Sequence, residues 1–180
     1  MLAETMKGGD ELKTIRGTRI QLQTPKAEQG FAMWQLARDS GVLEPNSSYA
    51  YLMFAKFFAE TCLLAVEDGT PIGFVTGFIP PGSPQTLFVW QIGVSAAHRG
   101  KGIGKHMLRE LLRRLESKSV CYLEATVTMS NDASKALFTS LANEYSARYQ
   151  INECFSAEMF PEGGHEAEWT YRVGPIPIQS

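Results

Sequence analysis

Apolar residues recur along the chain with two different periods, and these periods predict where strands and helices lie. Within residues 87–94, apolar side chains fall on every second position of one face: Phe88, Trp90, Ile92 and Val94. Leu87 and Val89 make the other face apolar as well, so we expect a strand that is buried on both sides. Residues 103–115 change to a spacing of three and four, which is typical of an amphipathic helix.

The same reading predicts an alternation of strands and helices along the whole chain. Strands are expected near residues 18–22, 62–66, 72–79, 120–127, 149–158 and 166–173. Helices are expected near 24–41, 49–60 and 132–141, the first with one face formed by Ala27, Phe31, Trp34 and Ala37. Asp68-Gly69 indicates a hairpin whose connection is longer than two residues. Residues 1–13 are expected to form a flexible segment, and residues 14–180 a single domain.

Composition excludes several classes of function. The 180 residues are 44% apolar and carry a net charge of −2, which gives no support for binding nucleic acid. No apolar run is long enough to cross a membrane, and the N-terminus lacks the apolar core of a signal peptide. The three cysteines, which are widely spaced and odd in number, favour free thiols in a reducing, cytoplasmic setting. No Cys and His residues show metal-ligand spacing, so no metal is expected.

A glycine-rich loop, Arg99-Gly100-Lys101-Gly102-Ile103-Gly104, joins the buried strand to the amphipathic helix. The first N–H groups of a helix have no partner within it and lie at the positive end of its dipole. Glycines leave those groups accessible to an anion, so the loop is suited to hold a diphosphate. The alternative is an ordinary connection whose glycines allow close packing. The spacing matches neither a Rossmann nor a Walker motif.

Arg-x-x-Gly-x-Gly directly after a buried strand resembles the acetyl-CoA signature of the GCN5-related N-acetyltransferases. The resemblance implies an α/β fold with a mixed, bent β-sheet flanked by helices on both faces. In that family the loop holds the pyrophosphate, and the strand before it binds the pantetheine arm. The implied cofactor-binding residues are Gln91, Ile92, Gly93, Val94, Arg99, Gly100, Lys101, Gly102, Ile103, Gly104, Lys105, Asn131, Ser134, Lys135 and Phe138.

A closer resemblance covers about residues 15–177. The segments at 43–51, 86–94, 99–108, 122–138 and 163–175 are similar to the diaminobutyrate acetyltransferases of ectoine biosynthesis. That resemblance implies transfer of acetyl from acetyl-CoA to the γ-amine of L-2,4-diaminobutyrate, by direct attack in a ternary complex. It also implies a homodimer.

The chemistry of this substrate suggests which residues bind it, because two ammonium groups need acceptors and one carboxylate needs donors. Candidates come from the loop after the first helix, the central strands and the C-terminal hairpin. They are Glu44, Asn46, Ser47, Tyr51, Trp90, Thr126, His165 and Glu166. Any one of the glutamates, taken alone, is more often a solvated or salt-bridged surface carboxylate than a ligand for an ammonium group.

Acetyl transfer needs a neutral amine and a stabilised oxyanion. We expect Glu158 or Glu124, both predicted inside apolar strands, to collect the amine proton through water, and the amide of Ile92 to stabilise the oxyanion. Members of the superfamily often use a helix Tyr to protonate the thiolate, but this sequence has Phe138 there. The thiolate then leaves unassisted, or Tyr145, Tyr149, Cys154 or a water protonates it.

Two other functions stay open at this point. The acceptor is a polyamine, an aminoglycoside or a peptide amine on the same fold, or the chain is a non-catalytic acyl-CoA sensor. A sensor binds CoA without turning over, so release of thiol distinguishes it from an enzyme.

Overall fold

A computed structural model describes residues 11–15, 18–44, 46–161 and 163–177. The strands are β1 (Glu11–Ile15), β2 (Thr18–Gln23), β3 (Leu63–Glu67), β4 (Thr70–Phe78), β5 (Thr86–Val94), β6 (Tyr122–Thr128), β7 (Tyr149–Phe155) and β8 (Glu168–Val173). The helices are α1 (Gly30–Asp39), α2 (Ser48–Phe57), α3 (Ile103–Leu115) and α4 (Asp132–Glu144).

The eight strands form one sheet in the order β1-β2-β3-β4-β5-β6-β8-β7. The β5–β6 pair is parallel and the other neighbours are antiparallel, so the expected mixed sheet is confirmed. The element order also matches the prediction, with one addition at the N-terminus. Residues 11–13, expected to be flexible, lie in β1 and pair with β2.

Helices cover both faces of the sheet, as expected. On one face, α3 and α4 pack on the large core, in which Leu111, Leu123 and Leu141 are fully buried. On the other face, α1 and α2 cover β3 and β4 through a smaller core around Met33 and Phe74. The second pair of helices leaves β6 and β8 largely uncovered on that side.

The buried face of α1 differs from the prediction. Gly30, Met33 and Ala37 are buried, whereas Phe31 is 51% exposed and stacks on Trp34. The reason is the close approach of α2, because a Cβ on Gly30 would lie 2.8 Å from the Cα of Leu52. The helix therefore turns its glycine, and not its aromatic ring, toward its neighbour.

The hairpin between β3 and β4 is tighter than predicted. Only Asp68 and Gly69 separate the two strands, and both have positive φ, 46° and 80°. Two consecutive positive φ angles are the requirement of a two-residue type I′ turn, which matches the twist of the strands that it joins. This turn places Glu67 at the end of β3.

A β-bulge in β5 changes which side chains share a face. Thr76 pairs with Gln91 and Gly77 pairs with Val89, which leaves Trp90 as an extra residue. Leu87 and Val89 face α3, as do Ile92 and Val94 after the bulge. The prediction that residues 88, 90, 92 and 94 share one face is therefore wrong beyond Trp90. The bulge directs Trp90 and Gln91, two consecutive side chains, toward α2.

Within the described ranges, no helix is both long and apolar enough to cross a membrane. The same residues contain no group of three or more His, Cys, Asp or Glu side chains arranged to hold a metal ion.

Candidate active site

A gap opens in the centre of the sheet, between β5 and β6. The two strands pair only at Thr86–Phe88 and Tyr122–Glu124, yet β5 continues to Val94 and β6 to Thr128. Backbone groups along the separated edges are available to a ligand, because a strand edge without a neighbour presents N–H and C=O groups. The gap can therefore receive an extended ligand with amide groups of its own.

A cleft of about 650 Å³ continues from this gap, on the side of α3 and α4. Its volume lies within the range of small-molecule and cofactor sites. Its lining comes from the segment after α1, the ends of β5 and β6, and the starts of α3 and α4. The lining residues are Ser40, Val42, Leu43, Ile92, Gly93, Val94, Arg99, Gly104, Thr128, Ser130, Asn131, Asp132, Ala133, Ser134 and Leu137.

The glycine loop leads into α3 at one end of this cleft. Gly100 and Gly102 have φ of 73° and 84°, and Gly102 is the N-cap of the helix. A Cβ on either glycine would meet no atom within 4 Å, so backbone conformation and not space is the requirement for glycine here. The loop places the amino end of α3, with its positive dipole, beside the cleft.

Three cations predicted to bind the cofactor are engaged with the protein. Arg99 donates from Nε to the Val94 carbonyl at 3.2 Å, and its guanidinium also bonds the Ser40 carbonyl. Lys105 pairs with Glu144 at 2.9 Å and thereby ties α3 to α4. Lys135 donates to the Met129 carbonyl at 2.6 Å. These hydrogen bonds and ion pairs hold the walls of the cleft.

On the opposite face of the sheet, α2 and β5 share a polar contact within an aromatic cluster. Tyr51 donates from its hydroxyl to Gln91 Oε1 at 2.6 Å, and Gln91 Nε2 donates to the Glu44 carbonyl at 2.8 Å. Asn46 also hydrogen-bonds the Tyr51 hydroxyl. Burial raises the pKa of Tyr51, so this hydroxyl stays protonated at neutral pH.

Trp90 packs between the helix and the gap. Its ring stacks on Phe54 with 4.7 Å between centroids and lies 6.0 Å from Tyr51. A partly exposed aromatic wall of this kind suits the methylene groups of a small ligand, or a cation over the ring.

The face of β6 and β8 beside Trp90 is polar. Glu124, Thr126 and Thr128 alternate with the buried residues of β6, and Glu168, Thr170 and Arg172 do the same on β8. Glu124 forms an ion pair with Arg172, whose guanidinium also lies 3.8 Å from the ring of Tyr122. The partner that a carboxylate in this strand requires is therefore Arg172.

Glu168 is the carboxylate on this face with the most unusual environment. One of its oxygens, Oε2, is buried and has no hydrogen-bond partner, while Thr126 bonds the carboxyl group and His165 Nε2 lies 3.9 Å away. Burial is the main cause that raises its pKa, and the nearby Glu166 adds to the rise. A carboxylate that is disfavoured as an anion and has an open acceptor atom is suited to take a proton or to bind an ammonium group.

Glu166 and His165 close one end of the site. Glu166 accepts from the backbone N–H of Ser130 at 3.2 Å and also from its hydroxyl. The ring of His165 stacks on Phe160 at 3.9 Å. Since Ser130 lines the cleft, Glu166 connects the β7–β8 loop to the wall of that cleft.

The sequence model of the Acetyltransferase (GNAT) family matches residues 31–142, more than half of the chain. The chain belongs to this family.

Individual relatives with high sequence identity align with most of the chain. An L-2,4-diaminobutyric acid acetyltransferase of Halalkalibacterium halodurans is 49% identical over 88% of this chain and 84% of its own length. One from Shouchella clausii is 46% identical over 87% and 88%. Among solved structures, the diaminobutyrate acetyltransferase EctA from Paenibacillus lautus, in complex with L-2,4-diaminobutyric acid and coenzyme A, has a TM-score of 0.85. It is 39% identical and covers 91% of this chain and 99% of that chain.

Two predicted site residues of this acetyltransferase lie elsewhere than expected. Phe138 is 1% exposed and lies in the large core, where its ring centroid is 6.5 Å from that of Tyr171. It does not line the cleft. Glu158 lies on a short 3₁₀ turn, Ala157–Met159, and is exposed, because β7 ends at Phe155. Its placement inside an apolar strand is therefore wrong, whereas its catalytic role stays a prediction.

Of four further predicted residues, Asn131 and Ser134 line the cleft, whereas Ser47 and Ile103 do not. Asn131 is the N-cap of α4 and accepts from the N–H of Ser134, so both stand at the cleft wall. Ser47 is the N-cap of α2, and its side chain makes no capping bond. Ile103, in contrast, is buried beneath the loop.

The suggested alternative proton donors of this acetyltransferase do not line the cleft. Tyr145 stands by a separate pocket with Arg109 and Pro177, Tyr149 accepts from Thr139, and Cys154 is exposed on β7. Burial raises the pKa of both tyrosines.

Sequence reasoning missed Glu168 and Arg172 as members of the site. Both belong to a segment that carried the family resemblance, but alternation alone does not show which glutamate loses its water. The sequence did contain one signal for them. Polar residues alternate with apolar ones on both β6 and β8, and strands that pair in this way place their polar residues on the same face.

Proposed function

We propose that this acetyltransferase transfers the acetyl group of acetyl-CoA to the γ-amine of L-2,4-diaminobutyrate and forms N4-acetyl-L-2,4-diaminobutyrate. The observation that carries the proposal is the match, at a TM-score of 0.85, to an enzyme solved with diaminobutyric acid and coenzyme A. Relatives that are 40–49% identical carry the corresponding name. The reaction belongs to ectoine biosynthesis, and hence to osmoprotection.

The two faces of the gap suit the two substrates. The cleft beside α3 and α4 receives acetyl-CoA, with its pyrophosphate at the glycine loop and its pantetheine arm along β5. The diaminobutyrate amine approaches from the side of Trp90 and Glu168. The neutral γ-nitrogen forms a bond to the acetyl carbon, the C–S bond breaks, and CoA leaves as the thiolate. The second proton, which the nitrogen loses as the amide forms, passes through water to the thiolate or to solvent.

Proton removal is assigned to Glu168 in this proposal. A free alkylamine has a pKa of about 10 and is protonated at neutral pH, so the enzyme must accept a proton before or during attack. Glu168 has the open oxygen, the raised pKa and the position on the face of the gap. Glu124, neutralised by Arg172, and the exposed Glu158 stay as the earlier candidates, and the amide of Ile92 stays the candidate for the oxyanion.

Selectivity for the γ-amine follows from anchoring the other end of the substrate. Glu44, Asn46 and Ser47 form the loop that Gln91 and Tyr51 hold against the sheet. If this loop binds the α-amino acid group, only the γ-nitrogen reaches the thioester.

A homodimer is part of the proposal. β7 is an edge strand of the sheet, and residues 150–155 are exposed on both of its faces, including Ile151 and Phe155. A second copy is the partner that would cover this edge. A cytoplasmic setting is supported by the free thiols, one of which, on Cys154, is exposed.

The test is a thiol-release assay with acetyl-CoA and L-2,4-diaminobutyrate, followed by NMR of the product. Rapid release with acetyl on the γ-nitrogen supports the proposal. Release with polyamines or peptides alone would assign another acceptor, and CoA binding without any release would identify a sensor.

A further inference from the structure

Three polar side chains form a continuous hydrogen-bonded chain behind the glycine loop. Ser95 Oγ lies 2.7 Å from His98 Nδ1, and His98 Nε2 lies 2.8 Å from Glu67 Oε2. The side chains of His98 and Glu67 are 15% and 29% exposed, so solvent competes only partly for these bonds. The chain joins the end of β3 to the segment that follows β5.

Both nitrogens of His98 are engaged in either protonation state. The ionised carboxylate of Glu67 can only accept, so Nε2 carries a hydrogen. Nδ1 then accepts from the Ser95 hydroxyl in the neutral imidazole or donates to it in the cation. Ser95 is in turn fixed to β4, because its backbone N–H donates to the Ile72 carbonyl at 2.8 Å.

The position of this chain relative to the loop gives it a role. His98 ends the 3₁₀ turn Ala96–His98, and the next residue, Arg99, begins the glycine loop. Arg99 is fixed by the carbonyls of Val94 and Ser40, and Gly102 is the N-cap of α3. Neither His98 nor Glu67 lines the cleft, so any effect of theirs on a ligand passes through the loop.

A loop rich in glycine loses more conformational freedom on ordering than other loops do. Fixing its first residue in advance reduces the entropy that remains to be lost when an anion binds. We propose that Glu67, His98 and Ser95 are positioning residues that hold the glycine loop in the conformation that binds the pyrophosphate of acetyl-CoA. This inference rests on the proposed use of acetyl-CoA. It means that hydrogen bonds outside the cleft increase the affinity of the loop for the nucleotide half of acetyl-CoA.

The experiment compares two acetyl donors that differ only in the half that the loop would contact. Wild type and His98→Ala are assayed with acetyl-CoA and with S-acetylpantetheine, which has no pyrophosphate or nucleotide. We expect KM for acetyl-CoA to rise about tenfold, as loss of a charge-assisted hydrogen bond implies, with kcat within about twofold. The kcat/KM for S-acetylpantetheine should stay within about twofold of wild type, which a general loss of structure would not allow.

Further variants separate the two contacts of His98. In His98→Gln the side-chain amide can still reach Glu67, so part of the affinity for acetyl-CoA should return. Glu67→Ala, at the end of β3, should raise KM for acetyl-CoA in wild type and add little in the His98→Ala background, because the two residues act through one contact. Glu28 is an exposed carboxylate that does not take part in these hydrogen bonds. Glu28→Ala is therefore the matched control and should leave KM for acetyl-CoA unchanged.

Calorimetric titration of coenzyme A into each variant keeps this test independent of the acceptor. A weaker Kd in His98→Ala and in Glu67→Ala supports the inference even if diaminobutyrate is not turned over. An unchanged Kd, or equal losses with acetyl-CoA and S-acetylpantetheine, overturns it. Since Glu67→Ala changes a partly exposed side chain, it also serves if His98→Ala fails to fold.

Discussion

The hydroxyl of Tyr51 on α2 donates a 2.6 Å hydrogen bond to Gln91, 40 residues away on β5. Asn46, in the loop before α2, bonds the same hydroxyl, so one oxygen connects the proposed substrate-anchoring loop to the central strand. Tyr51→Phe removes both contacts and keeps the ring against Trp90. We expect KM for diaminobutyrate to rise about five- to tenfold, with KM for acetyl-CoA unchanged. Steady-state kinetics measures both, and the 70% exposed Tyr49, changed to Phe, is the matched control.

Glu168→Gln tests the proposed proton acceptor. The amide keeps the size of the side chain and cannot take a proton, so kcat should fall by about 100-fold or more. Glu153→Gln, an exposed carboxylate on β7, provides the comparison and should keep full activity. A Glu168→Gln enzyme with near wild-type kcat would return the role to Glu124 or Glu158.

The raised pKa of Glu168 also predicts opposite effects on activity and stability. In the wild type, kcat/KM should fall as the pH drops through this pKa, because the protonated carboxyl cannot accept a proton. Since the pKa in the folded state lies above the ordinary value of 4.5, the carboxyl favours folding most below pH 4.5, and that contribution is lost as pH rises through the folded pKa. Glu168→Gln should therefore have a higher Tm than wild type at pH 8, measured by calorimetry. A lower Tm there would contradict the assigned environment.

Glu110 carries a separate prediction about stability. Its side chain is fully buried on α3, where it accepts from Arg113 Nη2 and from Arg114 Nε, both at 2.7 Å. Burial alone would raise its pKa, but the hydrogen bonds and charges of the two arginines outweigh burial and lower the pKa to about 2. Glu110→Gln removes the carboxylate that these two arginines bond and should reduce the free energy of unfolding by about 1.5–3 kcal/mol.

Denaturant unfolding at several pH values measures that loss. The stability due to Glu110 is present above pH 4.5 and disappears as pH falls toward about 2, so wild type and variant should converge in acid. Asp39→Asn breaks an exposed pair with Arg38 and should leave the free energy of unfolding essentially unchanged. A constant difference between wild type and Glu110→Gln at all pH values would contradict the ion-pair explanation.

Ornithine tests the anchoring of the amino acid head. It is one methylene longer than diaminobutyrate, so a fixed head places its terminal amine beyond the thioester. We expect kcat/KM to be lower for ornithine than for diaminobutyrate. The decrease should correspond to a loss of about 1–3 kcal/mol in transition-state stabilisation. Equal values for both amines would show that the loop at 44–47 does not anchor the head.

The periodicity of the sequence predicts most of the elements, and its failures have local physical causes. Strand alternation assumes an unbroken pleat, so it could not place Trp90 and Gln91 on one face, since that requires a bulge opposite Gly77. There a Cβ would lie 2.6 Å from the Phe88 carbonyl oxygen, which explains the glycine but is visible only in three dimensions.

The sequence predicts those parts of the site that depend on backbone conformation. It is less informative about the parts that depend on how deeply a side chain is buried. The glycine loop was recognisable from residue types alone, since positive φ and a helix start need them. Glu158 and Glu168 look alike in the sequence, yet one is exposed and the other has a buried oxygen. Phe138 was expected at the cofactor and lies in the core, because a helix position gives no information about depth.

The short β5–β6 pairing has a mechanical consequence. Among the described residues, strand pairing joins the five strands on one side of the sheet to the three on the other through three residue pairs. The large core already holds these two halves together, and a ligand that lies in the gap and bonds both edges adds backbone contacts between them. Amide hydrogens of β6 should then exchange with solvent more slowly once the cofactor is bound, while those of β3 and β4 change little.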